Sequence, residues 1–133
     1  MKPVVALTLA LLTLTACSEN NKEAPVVLSQ VQIFMADPAA VRRGQAIFEG
    51  SCANFCHAIH AQSASPETVE FDAQYLFDCE WKHGETDQDI FDVVTVGIAE
   101  TRMVGFGSNF PQGDDDLWKI IAYLRSNQQT CSE

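Results

Sequence analysis

Basic residues are scarce in this chain of 133: eight Lys and Arg stand against 18 Asp and Glu, a formal net charge of −10. Nucleic-acid binding draws on basic side chains that displace counterions from phosphates, so a nucleic-acid partner is excluded. An acidic surface instead favours a partner with a basic docking face, and it serves solubility equally well. Long apolar runs are also missing. The most apolar stretch, Val4–Leu14, has 11 residues, too few for a helix that crosses a bilayer. There is no Gly-rich phosphate loop and no internal repeat. The only histidines are His57, His60 and His83. They form no Ser-His-Asp set and no pair at the spacing of a zinc helix.

What the N-terminus does have is an address. Met1-Lys2 supplies positive charge, Val4–Leu14 has the length of a signal-peptide core, and "LTAC" closes it at Cys17. This pattern resembles a bacterial lipoprotein signal. The resemblance implies that Cys17 becomes the new N-terminus and carries lipid. Ser18 departs from the aspartate that retains such proteins at the inner membrane in enteric-type bacteria, which is compatible with outer-membrane sorting. An ordinary secretory signal cut nearby is the other reading. Both export the chain to the periplasm, an oxidising compartment. The expected organisation is a signal peptide over 1–16, a lipidated N-terminus and tether over 17–35, and one folded domain over 36–133. The membrane is met through the lipid only. Within the tether, "VVLSQVQIFM" at 26–35 is apolar enough to pack along the domain as a short extended segment.

Three helices are expected in the domain. Over 37–50, Asp37 caps and Pro38 opens the first turn. Ala40, Val41, Gly44, Ile47 and Phe48 share one face. Over 86–98, Thr86 and Asp89 form a variant capping box, and Gly97 suits the end. Over 114–126, aspartates at the start complement the helix dipole, and Leu117, Trp118, Ile120, Ile121 and Leu124 form the core face. The stretches 58–80 and 99–113 read as loops. So much loop in a small helical chain leaves little to bury, and a large apolar prosthetic group would give the loops something to wrap.

The chemistry gathers in "SCANFCHAIH", 51–60. Gly44, Phe48 and Cys52 follow at four-residue steps, then Cys56 and His57. With "DLWKIIAYLRS" carrying Trp118 and Tyr123 behind it, the chain resembles a class I, monohaem c-type cytochrome over about residues 38–127. The resemblance implies an all-α fold, three main helices and long loops wrapped around one haem. It implies one covalent haem c with its iron, thioethers at Cys52 and Cys56, His57 as one axial ligand and Met103 as the other. It also implies that the C-terminal helix crosses the first helix at Gly44. The sequence departs from the family twice. Three residues, not two, separate the cysteines, and Val104 follows Met103 where proline is common. The extra residue leaves two registers open: one thioether at Cys56 only, or two with a π-type bulge absorbing the insertion. The bulge is the expectation, because Gly44 and Phe48 fix the phase of the helix before it. His83 is an alternative iron ligand. His60 is expected near solvent or a propionate.

Cys79 and Cys131 remain. An even pair outside the haem site in an exported chain suggests a disulfide. The expected function is periplasmic transfer of one electron with His/Met ligation, an electron carrier and not an enzyme. The redox partner is a dehydrogenase, an oxidase or a peroxidase. A subunit of a quinoprotein dehydrogenase is an alternative within that class. A metal-binding or thiol-redox module built on Cys52, Cys56, His57 and His60, and a haem-based ligand sensor, are alternatives from other classes.

Overall fold

Asp37 and Pro38 set the first long helix of the domain. The Asp37 carboxylate accepts from the Ala39 N–H at 2.8 Å, and Pro38 occupies the first position, where its missing N–H is no loss. In the computed structural model, which describes residues 27–59 and 73–131, four α-helices follow in order: α1 Gln30–Met35, α2 Pro38–Phe48, α3 Asp87–Val96 and α4 Asp114–Asn127. The signal segment, Cys17 and His60 lie outside the described residues. Among those described there is no strand, only an isolated bridge between Gly97 and Val104. No described helix is long and apolar enough to cross a membrane.

Within 26–35, expected as an extended segment, residues 30–35 are helical instead. Gln30–Met35 is helical because Ser29 and Gln32 close a full capping box: the Ser29 hydroxyl accepts from the Gln32 N–H, and the Gln32 side chain accepts from the Ser29 N–H. Val31 is buried and Phe34 packs beside it, so α1 lies along α4.

α4 is the axis of the fold. Leu117, Ile120, Ile121, Ala122, Tyr123 and Leu124 are all buried, with α2, α1 and α3 packed around them. Fully burying side chains such as Leu117 and Ile121 stabilises by about 1.5–3 kcal/mol each. α2 crosses α4 at Gly44. A Cβ placed there would overlap the Lys119 carbonyl and come within 2.9 Å of the Ile120 nitrogen. Only the missing side chain lets the two backbones meet. Trp118 stacks on Phe91 of α3 with centroids 4.4 Å apart, and Tyr123 meets Phe48 of α2 at 5.8 Å. Arg43 of α2 adds an ion pair to the crossing. Its Nε donates to Asp116 Oδ1 at 2.5 Å and its terminal nitrogen to Oδ2 at 2.8 Å, with Asp116 wholly buried.

α2 does not simply stop. It widens into a π-helical turn, Glu49–Ala53, closed by the Asn54 N–H on the Glu49 carbonyl at 3.2 Å. This is where an inserted residue was expected to be absorbed. Past the turn, the Cys52 carbonyl accepts from the N–H groups of both Cys56 and His57, each at 3.0 Å. α3 opens on the expected box: the Asp89 N–H donates to Thr86 Oγ1 at 3.1 Å, and the Thr86 N–H to Asp89 Oδ2 at 3.0 Å. Hydrogen bonds to the Asp89 carboxyl, first from the Thr86 side chain and then from the Thr86 N–H, hold it below its ordinary range.

Candidate functional site

Three pieces of chain converge on one cavity. The first is the π turn and its exit, which carry Cys52, Cys56 and His57. The second is the loop 73–84. The third is the loop after α3. An apolar cavity of about 260 Å³ is bordered by Cys52, Cys56, His57 and Met103, with Phe48, Leu76, Ile90, Val94, Ile120 and Leu124 among its walls. A second cavity, about 410 Å³, borders the same four residues and opens past Phe55, Val104 and Phe106. His83 borders the first cavity and is itself exposed.

His57 has one ring nitrogen assigned by geometry. Its Nδ1 lies 2.9 Å from the Gln74 carbonyl, which only accepts, so Nδ1 carries the proton and Nε2 keeps its lone pair. Burial pushes the imidazole below its ordinary pKa, partly opposed by that hydrogen bond. A neutral imidazole oriented through the other nitrogen is the form that ligates a metal. The Cys52 thiol is pushed up to about 11, first by burial and then by the nearby Cys56. A thiol held protonated at neutral pH is not poised as a free nucleophile.

Met103 is positioned by glycines. Gly97 ends α3 at φ +81°, and Gly105 packs where a Cβ would press on the Val96 and Thr95 carbonyls. The loop between them folds back. The Phe106 and Gly107 N–H groups donate to the Val94 and Thr95 carbonyls at 2.8 and 3.0 Å, satisfying the C-terminal carbonyls of α3. Within the loop the Ile98 N–H donates to the Met103 carbonyl at 2.9 Å, and the Met103 N–H to Thr101 Oγ1 at 3.1 Å.

A haem fits this wall on two observations. The cavity is apolar and holds thiols, an imidazole nitrogen and a thioether, the donors that iron porphyrins take. Trp81 also borders it, and its indole N–H is buried with no acceptor among the described residues. Leaving such a donor unmade costs about 1–3 kcal/mol, so a group with acceptor oxygens suits that position. Trp81 is held from behind by the Arg125 guanidinium, 5.2 Å from the ring centroid. Arg125 is in turn fixed by Asp87 at 2.8 Å and by the Glu85 carbonyl.

Sequence reasoning assembled Cys52, Cys56, His57 and Met103, and the structure brings all four to one cavity. It gave no role to Gln74, whose part is played by a backbone carbonyl that no residue type announces. It also missed the Arg43–Asp116 pair, where only the opposite charges were visible beforehand. Cys79 and Cys131 are bonded to one another in the structure, with Cα atoms 5.2 Å apart.

A helical shell closing on an apolar cavity of cysteines, histidine and methionine defines a small all-α c-type cytochrome. The chain belongs to the family described as cytochrome C oxidase, cbb3-type, subunit III, whose model matches residues 39–124. It therefore has the cytochrome c fold, carries covalently bound haem c with its iron, and works in haem-based electron transfer. No curated protein and no solved structure matches the chain.

Proposed function

We propose that this chain is an exported, lipid-anchored carrier of single electrons, not an enzyme. Cys52 and Cys56 hold the haem by two thioethers, and His57 and Met103 ligate the iron. The carrying observation is the convergence of these four residues on one apolar cavity with the His57 Nδ1 proton already committed to Gln74. Bound haem supplies a reversible one-electron couple. The residues do the rest: His57 presents Nε2, Met103 offers a soft thioether that favours the ferrous form, and the apolar walls exclude water. The π turn supports two thioethers, because it takes up the extra residue between the cysteines and leaves both at the cavity edge.

Cys17 is the proposed lipid site, with export to the periplasm and an outer-membrane location, and 1–16 the signal that is removed. The electron leaves beside the cysteines. There Phe55, 67 % exposed, and Val104, 65 % exposed, rim the second cavity. An apolar rim on a chain of net charge −10 suits a redox partner whose docking face is apolar at its centre and basic around it. A dehydrogenase, an oxidase or a peroxidase would present such a face.

Two measurements test this. A pyridine haemochrome spectrum of the matured protein counts saturated vinyl groups, and two are expected; a spectrum with one reduces the attachment to Cys56 alone. In the second, Met103→Ala would remove one of the two proposed iron ligands, so the reduced variant is expected to take up carbon monoxide without denaturant while the parent does not. Carbon monoxide uptake by the parent itself would sink the His/Met carrier in favour of a ligand-binding haem.

A further inference from the structure

The loop that carries the Gln74 carbonyl is closed on itself by the Gln74 side chain. Its Nε2 donates to the Glu80 carbonyl, and its Oε1 accepts from the Lys82 N–H at 3.3 Å. Residues 74–82 thus form a ring held by one carboxamide. The ring is anchored outside itself at two places. Phe77 is buried against Phe48 and Tyr123, and its carbonyl accepts from the Gln129 N–H at 2.8 Å. Cys79 is bonded to Cys131, beyond the end of α4. The loop has no helix or strand of its own to hold the Gln74 carbonyl in place.

We infer that Gln74 is a positioning residue for His57: its carboxamide, braced by the Cys79–Cys131 bond, fixes the carbonyl that orients the imidazole and sets how strongly Nε2 donates. The inference rests on His57 being an iron ligand. A hydrogen bond from Nδ1–H to a well-placed acceptor raises the basicity of the other nitrogen. A more basic ligand favours ferric iron over ferrous, so the brace holds the reduction potential down. Loosening it weakens that bond, and the potential rises. Packing alone does not account for the arrangement: both ends of one glutamine side chain are spent on backbone groups of its own loop.

The test uses the full chain with haem attached. Gln74→Met keeps the side-chain length and removes both hydrogen bonds. It is expected to raise the reduction potential and to speed solvent exchange of the His57 Nδ1 proton, read by NMR. Cys79→Ala with Cys131→Ala shifts both quantities in the same direction. The triple variant shifts less than the sum, since both changes act on one carbonyl. A folded Gln74→Met protein with unchanged potential and unchanged Nδ1 exchange overturns the inference. Should that variant not fold, the parent protein decides. Its Lys82 amide and His57 Nδ1 protons are expected to exchange through one opening, with one dependence on denaturant; independent exchange overturns the brace. Failure of the underlying reading looks different: His57→Ala would then keep the parent's low-spin spectrum, whatever Gln74→Met does.

Discussion

Asp116 is the one buried charged side chain among the described residues, at 0 % exposure. It is kept ionised by its neighbours. The Arg43 hydrogen bonds hold its carboxyl below the usual carboxylate range, burial works against them, and the Gln112 N–H at 2.9 Å and Lys119 at 3.9 Å help. An unfolded aspartate titrates near ~3.9. The stabilisation is therefore complete above about pH 4 and is lost as pH falls through the lower folded value. Asp116→Asn should lower the melting temperature at neutral pH and flatten its fall on acidification, measured by thermal unfolding between about pH 3 and 7. The four residues proposed to hold the haem, Cys52, Cys56, His57 and Met103, were picked out at this scale as rare residue types in a recognisable order, and they border one cavity. Gln74 and Trp81 were not. One acts through its backbone and the other through an N–H that becomes notable only once it is buried without a partner.

Helix starts were legible because capping is local chemistry. Asp37–Pro38 and Thr86–Asp89 announce α2 and α3 in a few residues, and the structure starts both helices there. α1 escaped for the opposite reason. Its six residues are too few to show a helical period, and what makes it helical is the Ser29–Gln32 box and the α4 surface under Val31. The crossing of α2 and α4 was legible in Gly44, and it yields a prediction in which two effects compete. Replacing a helical glycine by alanine gains about 1 kcal/mol of helix propensity. At Gly44 the new methyl meets the Lys119 carbonyl, part of a helix that cannot yield cheaply. Overpacking costs about 1–3 kcal/mol and more where backbone must move, so the clash wins. Gly44→Ala should lower stability by roughly 1–2 kcal/mol net, read from denaturant unfolding of the holoprotein. A stabilised Gly44→Ala protein would mean that the helices do not meet here.

Across the whole molecule, the helices make the frame and the loops make the site. The Cys79–Cys131 bond spans 52 positions of sequence and ties the chain beyond α4 to the loop ahead of α3. On the chain-entropy account, closing a loop of that length contributes roughly 3–4 kcal/mol. The double variant Cys79→Ala with Cys131→Ala should be less stable by about that amount than the parent, both unfolded in the same denaturant. The all-α class and the need for a large apolar cofactor were legible from helix pattern and loop length. The loop paths were not, since 73–84 and 97–107 are shaped by backbone and carboxamide bonds that no residue pattern announces. The central place of α4 has a further consequence, in time. Ile120 and Leu124 complete a cavity wall whose thiols lie much earlier in the chain. Roughly 70 residues separate Cys56 from Leu124, and at about 5–20 residues per second synthesis leaves several seconds between them. During that interval the two thiols stand on open chain, without the wall that Ile120 and Leu124 later complete.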